Sequence, residues 1–288
     1  MEQSQIYIQA FEKTKEHNFD EMCKINIISI TCGDEFVVML LTDNSIIISP
    51  CPSFLETSFI PEQIDKNVVS ISCGVSHISA LLTNSNVVVW GFNFSKVCNV
   101  PLYIQGQVKK IISGGFHNTV ILHNETVVSW GGNKYGQCNV PDIVQGNIMQ
   151  LDSGSHHNIA LLKNGKVIGW GSNENGQCNI PDLYNSVKQI FCGDSFSGAL
   201  LDNNKIIVWG NVSNGIDNIP KIDKMIQKIS CGINHCIAML DDKTVVVWGK
   251  TNEHSSSNDD INLYPVKDIA CGDFMTMILY ENNVVKHF

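Results

Sequence analysis

The sequence predicts an all-β fold, a seven-bladed β-propeller that occupies residues 1–288 as one domain. Three observations predict it. A unit of about 40 residues recurs along the chain, each unit holds three short β-type runs, and a Trp-Gly pair ends most units. The phrase "WGGNKYGQCNVP" at 130–141 and its near copy "WGSNENGQCNIP" at 170–181 show the repeat directly.

A glycine preceded by a small residue marks each unit, and successive glycines are 39 to 41 residues apart. These anchor glycines are Gly33, Gly74, Gly114, Gly154, Gly193, Gly232 and Gly272. A tryptophan follows five of them at a constant distance: Trp90, Trp130, Trp170, Trp209 and Trp248. Ser49 and Phe288 take that place in the first and last units. We expect the Trp residues and Phe288 to be repeat positions that pack between blades.

Each unit contains three apolar runs that are too short for helices, as in "VVSISCG" at 68–74, "ISALL" at 78–82 and "NVVVWG" at 86–91. Asn or Asp always stands between the second and third runs, ten residues after the anchor glycine. Because Asn and Asp tolerate positive φ, we expect them to adopt it in tight hairpin turns at this position.

The predicted ring needs closure, because an open stack of sheets would leave an unpaired edge at each end. The run "IYIQAF" at 5–10 lies ahead of the first unit, and the last unit stops at residue 288. We therefore expect residues 5–10 to form an N-terminal strand that joins the seventh blade beside residues 284–288.

The composition favours a protein partner. The net charge is −9, and all 19 basic residues are Lys. Arg is the usual side chain for phosphate and base recognition, so its absence disfavours nucleic acid, whereas the acidic field attracts basic proteins. The sequence has no signal peptide and no apolar run approaching the roughly 20 residues of a membrane span. We expect an intracellular, cytoplasmic monomer.

The source also bears on location. The chain is rich in Asn, Ile and Lys and lacks Arg, which is typical of an AT-rich genome such as that of a large virus or an intracellular bacterium. For such a source the expected location is the host cytoplasm or nucleus.

Most of the 11 cysteines fall at repeat positions where Ser replaces them in other units, so we expect structural thiols. The segment "CGINHC" at 231–236 resembles a zinc site, but Cys231 and His235 are both repeat positions. His77, His117, His157 and His235 stand three residues after their glycines, where other units have Phe or Met. We expect these rings to pack and to bond to backbone. The sequence predicts no catalytic, cofactor or metal site.

The pattern G-x-x-H-x-x-A-L followed by W-G-x-N-x-x-G-Q, as in "SGSHHNIALLKNGKVIGWGSNENGQCNIP" at 153–181, resembles the regulator of chromosome condensation repeat. The resemblance covers about residues 25–288 and implies a seven-bladed propeller. The family implies several functions, among them nucleotide exchange on the small GTPase Ran, nucleosome docking and β-lactamase inhibition. The exchange factor inserts a wedge-like hairpin from one blade, and the even spacing here leaves no room for one.

The residues that vary between units are the expected functional ones, because propeller loops gather on two faces. One face is expected to carry the two positions after each anchor glycine, and the segments after the Trp residues form the other loop set. Within that second set, the segment at 250–260 has lost the repeat pattern. The predicted partner-binding residues are Asp34, Glu35, Ser76, Phe116, His156, Asp194, Asn234, Asp273 and Phe274.

These observations favour a non-enzymatic propeller that binds a protein partner through an acidic, Phe-containing face. The alternative is a guanine nucleotide exchange factor for a Ran-like or other small GTPase. In that case Asp34, Glu35, Asp194 or Asp273 would displace magnesium and phosphate. A chromatin adaptor is the least favoured hypothesis, because the chain has no basic patch to bind DNA.

Overall fold

A computed structural model describes residues 26–49, 60–250, 261–262 and 264–287. It contains seven antiparallel sheets of three strands, each with the strands in chain order, which confirms the predicted propeller class. The blades are β1–β3 (Ile27–Cys32, Val37–Leu41, Ile46–Ser49), β4–β6 (Val68–Cys73, His77–Leu82, Val87–Gly91), β7–β9 (Val108–Ser113, His117–Leu122, Val127–Gly131), β10–β12 (Ile148–Ser153, His157–Leu162, Val167–Gly171), β13–β15 (Val187–Cys192, Phe196–Leu201, Ile206–Gly210), β16–β18 (Ile226–Cys231, His235–Leu240, Val245–Gly249) and β19–β21 (Val266–Cys271, Thr276–Tyr280, Val285–His287). Short 3-10 turns lie between blades at Glu62–Ile64, Phe94–Lys96, Leu102–Ile104, Asp142–Val144 and Ser213–Gly215.

The first strand of each blade is the innermost one, and neighbouring first strands contact each other around a central channel. Their side chains also bond to the backbone of the next blade. Gln150 on β10, for example, accepts a hydrogen bond from the Ile190 N–H on β13 over 3.1 Å. The blades are therefore joined by polar contacts near the channel as well as by apolar packing.

The seventh blade contacts the first one directly. The Ile30 N–H donates to Asp268 Oδ2 over 3.0 Å, and Lys267 Nζ donates to the Ile27 carbonyl over 2.7 Å. Strands β1 and β19 thus meet as the other neighbouring first strands do. The predicted closing strand at 5–10 lies outside the described residues, as does Phe288.

The apolar core forms layers between neighbouring blades, and the middle strands are buried along their whole length. The tryptophans belong to these layers, because Trp130 and Trp170 are only 8% and 7% exposed. The Trp170 indole N–H donates to the Gln137 carbonyl over 3.1 Å, and the Trp130 indole does the same to the Val97 carbonyl. Each of these two indoles therefore bonds its blade to the linker that precedes that blade in the chain.

The histidines after the anchor glycines bond across the blade boundary. His77 Nε2 lies 3.0 Å from Asn118 Oδ1, and His117 Nε2 lies 2.8 Å from Asn158 Oδ1. Burial lowers the pKa of both imidazoles to about 4, so each ring is neutral at pH 7 and donates its Nε2–H to the amide oxygen. The sequence analysis missed these partners because they belong to the next unit.

The hairpin turns differ from expectation in one respect. The Asn or Asp side chain accepts the N–H two residues later, as Asn164 Oδ1 does from Lys166 over 3.0 Å. Positive φ falls on the residue between them, Gly165 at +81° and its counterpart Glu125 at +67°. The prediction of positive φ at the Asn or Asp itself is wrong, because the side-chain hydrogen bond is what shapes this turn.

One pair of cysteines departs from the predicted free thiols. Cys231 and Cys236 are directly opposite in the register of β16 and β17, and they form a disulfide. The remaining described cysteines are free thiols, namely Cys32, Cys73, Cys98, Cys138, Cys178, Cys192 and Cys271. Burial raises the pKa of the Cys271 thiol to about 12, which keeps it protonated and a weak nucleophile.

Candidate functional site

The two residues after each anchor glycine lie together at one end of the channel, and we call this end the glycine face. Their backbones are linked from blade to blade. The Asp34 N–H donates to the Val75 carbonyl over 3.2 Å, and the Val75 N–H donates to the Gly115 carbonyl over 3.2 Å. Between blades six and seven, the Ile233 N–H donates to the Asp273 carbonyl over 3.1 Å. The side chains at these positions are therefore held by a largely continuous backbone ring.

The loops after the tryptophans also lie on the glycine face, so the two loop sets share one end of the propeller. The Gly132 N–H donates to the Phe116 carbonyl over 2.8 Å, and the Ser172 N–H donates to the His156 carbonyl over 2.8 Å. The expectation that the two loop sets lie on different faces is therefore wrong, because each blade has three strands. The third strand of each blade runs back to the glycine face before the linker begins.

The channel has a volume of about 450 Å³ and is lined by the first strands and the anchor glycines. Lys110, Gln150 and Asp152 are among its polar lining residues. Burial raises the pKa of Asp152 to about 6, although Lys110 lowers it in part. Within the described residues, no group of three or more His, Cys, Asp or Glu side chains is arranged to hold a metal ion.

Three of the predicted acids meet around the channel mouth, on blades one, five and seven. Burial, together with the charges of Asp34 and Asp194, raises the pKa of Asp273 to about 6. The pKa of Asp34 is raised by burial and by Glu35, while its Oδ1 is buried without a hydrogen-bond partner in the described part of the chain. Asp194 is better satisfied, since the hydroxyls of Ser155 and Ser195 donate to it. The three charges therefore oppose one another.

Asp273→Asn is expected to stabilise the fold at neutral pH. An ordinary Asp loses its proton near pH 4, but folded Asp273 holds it until about pH 6. Between these values the folded state binds more protons than the unfolded state, so stability falls as pH rises and the full penalty applies above pH 6. Asp273→Asn should add about 1–2 kcal/mol at pH 7.5, after allowance for solvent screening, and nothing below about pH 4.

Calorimetric melting at these two pH values measures the effect. Asp242 is the control of opposite sign, because hydrogen bonds from Lys224 and Thr244 lower its pKa to about 2. Asp242→Asn should lower the melting temperature at pH 7.5, and that loss should shrink as pH falls toward 2. A lower melting temperature for Asp273→Asn at pH 7.5 would contradict the crowding of charges at the channel mouth.

Phe116 and His156 form an aromatic cluster on blades three and four. Their rings are stacked with centroids 4.7 Å apart, and Tyr135 from the intervening linker lies 5.1 Å from the His156 ring. Burial lowers the pKa of His156, so the ring is mostly neutral at pH 7. Lys134 Nζ lies 4.9 Å from the centre of the Tyr135 ring, a cation–π contact.

The remaining predicted residues lie on the same face, each in its own blade. Ser76 accepts the Phe92 N–H through its carbonyl, and Asn234 Oδ1 accepts from the Asn214 side chain over 2.9 Å. Glu35 is exposed, and the Phe274 side chain is 58% exposed. Of the irregular segment 250–260 only residue 250 is described.

The sequence analysis did not single out Phe92, Phe94 and Tyr135. The Phe92 and Phe94 rings are parallel with centroids 6.3 Å apart, and the side chains are 56% and 65% exposed. The sequence contains a signal for Phe92 and Phe94. The linker "FNFSKV" at 92–97 has Phe at the two positions where the next linker has Gly132 and Lys134.

Comparison with known proteins identifies the type of repeat in two of the blades. The sequence profile of the regulator of chromosome condensation (RCC1) repeat matches residues 149–177 and 226–255, in the fourth and sixth blades. These two blades match the RCC1 repeat in sequence. No curated protein matches it in sequence. The described part of the chain has no helix with the length and apolar character needed to cross a membrane.

Several solved structures are similar to this chain in fold. The ectodomain of the Physcomitrella patens receptor kinase CR4 is 17% identical with a TM-score of 0.73, over 91% of this chain and 72% of that one. The CRINKLY WD40 ectodomain of the Arabidopsis thaliana receptor kinase ACR4 is 18% identical with a TM-score of 0.71, over 88% and 91%. Prp20p of Saccharomyces cerevisiae, studied for its binding to Gsp1p and histones, is 18% identical with a TM-score of 0.63, over 85% and 75%.

Proposed function

We propose that this chain is a non-enzymatic interaction propeller that binds a protein partner through the glycine face. One observation carries the proposal. The side chains that differ most between blades, from both loop sets, lie on this single end, whereas the residues between the blades repeat. A surface in which carboxylates crowd together beside exposed aromatic rings is unfavourable for the isolated protein and favourable for one that binds a partner.

Site-specific photocrosslinking in the native cell tests which face binds. A photoreactive phenylalanine replaces Glu174, which is exposed on the glycine face, or Lys205, which is exposed in the hairpin turn at the opposite end of the neighbouring blade. We expect protein adducts from position 174 and none from position 205. Adducts from position 205 alone, or from neither position, would overturn the proposal.

The second candidate function is nucleotide exchange on a Ran-like or other small GTPase. The RCC1-type repeats favour it, together with the similarity to yeast Prp20p, a protein studied for its binding to Gsp1p. The carboxylates at the channel mouth supply groups that can compete for magnesium and repel phosphate. In this mechanism Asp34, Asp194 and Asp273 would act at the nucleotide site of the GTPase.

Release of a fluorescent GDP analogue from Ran and from a panel of small GTPases tests this second function. An exchange factor should accelerate release from one GTPase by about 100-fold or more, corresponding to about 2.7 kcal/mol of barrier. The triple variant Asp34→Asn, Asp194→Asn, Asp273→Asn should lose that acceleration. Unchanged release of the GDP analogue from every panel member would rule out the exchange function. The proposal of an interaction propeller would then remain.

A further inference from the structure

We infer that the glycine face has two halves and that its partner is a basic protein segment carrying an apolar anchor. This inference rests on the proposed function and states the chemistry of the partner. The first half is an aromatic arc on blades two to four, formed by Phe92, Phe94, Phe116, Tyr135 and His156. The second half is an acidic arc on blades five, seven and one, formed by Asp194, Asp273, Asp34 and Glu35.

The aromatic arc is contiguous. A methyl group at Gly132 would lie 3.5 Å from the Ser95 side chain, so the linker that carries Phe94 reaches the start of the next linker. That start is bonded to Phe116, whose ring stacks on His156 and through it meets Tyr135. The aromatic rings of blades two to four are therefore carried by adjoining loops of the same face.

The repeat does not require these aromatic rings for folding. In the fifth blade's linker, Asn211 and Ser213 take the places of Phe92 and Phe94. Both linkers still form the same 3-10 turn, with positive φ at Ser95 and at its counterpart Asn214. Because polar residues support the same backbone, packing does not explain two Phe rings that are more than half exposed. Exposed aromatic residues of this kind are typical anchors of protein interfaces.

Charge complementarity identifies what covers this surface. Asp194 and Asp273 both line the channel, and the buried Asp34 Oδ1 has no hydrogen-bond partner in the described part of the chain. An ammonium or guanidinium group from a partner would relieve the repulsion among these like charges. The aromatic arc instead carries Lys96 and Lys134, with Lys134 already against the Tyr135 ring. A partner's cations are therefore directed to blades five, seven and one, and its apolar side chain to blades two to four. Four carboxylates on the same face repel a phosphate backbone.

Peptide binding measured by fluorescence anisotropy tests the inference. The first probe is a labelled peptide of alternating lysine and tryptophan. The second has glutamate in place of lysine, the third has serine in place of tryptophan, and the fourth is labelled oligothymidylate. We expect the lysine–tryptophan peptide to bind about tenfold more tightly than each of the others. Equal binding of the serine or the glutamate peptide, or tighter binding of oligothymidylate, would overturn the inference.

Two single substitutions test which arc binds the apolar side chain of the peptide and which binds its cations. Phe94→Ser copies Ser213, and Asp273→Asn is expected to stabilise the fold, so neither loss of binding would reflect unfolding. Each should weaken binding of the lysine–tryptophan peptide by about threefold to tenfold. The matched controls lie away from the glycine face: Tyr184→Ser, which removes a ring that is 86% exposed, and Asp202→Asn, which removes an exposed carboxylate. Equal weakening by the controls would overturn the inference.

Failure of this inference can be told apart from failure of the proposed function. Photocrosslinked adducts from position 174 that persist unchanged in Phe94→Ser and in Asp273→Asn would keep the glycine face as the binding face. They would also show that the two arcs do not hold the partner. Absence of any adduct from position 174 in the parent chain would instead remove the proposed function itself.

Discussion

Gly154→Ala is expected to lower the free energy of unfolding by about 3 kcal/mol or more. A methyl group at Gly154 would lie 2.4 Å from the Gly193 carbonyl oxygen of the next blade and 2.3 Å from the His157 ring. The carbonyl belongs to the backbone, so it cannot rotate away. The blade boundary has to open to relieve this clash, and the His157 ring has to shift as well.

Gly165→Ala is the matched control for this substitution. Gly165 has φ of +81°, and a methyl group there would meet nothing within 4 Å. Its replacement should therefore cost only the strain of a left-handed backbone, about 1 kcal/mol. Urea unfolding of the two variants measures the difference. Equal losses in the two variants would mean that the anchor glycines are not needed for close contact between blades.

The second large effect is expected at the contact between His117 and Asn158. Asn158 is fully buried, and its Oδ1 accepts hydrogen bonds from His117 and from the Ser153 hydroxyl, while its amide donates to the Gln137 carbonyl. Asn158→Ile leaves the buried His117 Nε2–H without an acceptor, and the Ser153 hydroxyl loses its acceptor as well. The Gln137 carbonyl still accepts the Trp170 indole N–H. We expect a loss of about 3–4 kcal/mol from this single substitution.

A double-mutant cycle separates the histidine contact from the rest. His117→Phe alone should cost about 1–2 kcal/mol, because Asn158 keeps its other partners. The double variant His117→Phe, Asn158→Ile should be about 1–2 kcal/mol more stable than the sum of the single losses predicts. It copies the boundary between blades one and two, where Phe36 faces the blade that carries Ile78. Simple additivity would show that the two side chains do not interact.

This pairing was visible in the sequence only by comparing one unit with the next. Each His is followed, one unit later, by a polar residue just after the equivalent position. These are Asn118, Asn158, Ser197 and Thr276, and the first three bond to the histidine of the preceding unit. Where Phe or Met replaces the histidine, the next unit around the ring has Val37, Ile78 or Cys236 instead. Aligning the units shows what they share, whereas these contacts join residues of neighbouring units.

The fold was predictable because each blade is formed by one continuous stretch of the sequence. The spacing of glycine, Asn or Asp, and tryptophan depends on strand lengths and turns within about 40 residues. The candidate site was less predictable because it depends on the direction in which each strand runs. The sequence does not show that the third strand returns to the glycine face, and so the exposed rings of Phe92 and Phe94 were not grouped with Phe116. The disulfide was missed for a similar reason, since Cys236 is opposite Cys231 only in the strand register.

The hairpin turns have a practical consequence. They lie at the end of each blade away from the glycine face, and the turn at 164–166 is closed by its own side-chain hydrogen bond with open space around Gly165. A tag or surface tether inserted there would leave the blade boundaries untouched. Every immobilised molecule would then present the same end to a flowing analyte, and a single orientation would be observed in a sensor experiment.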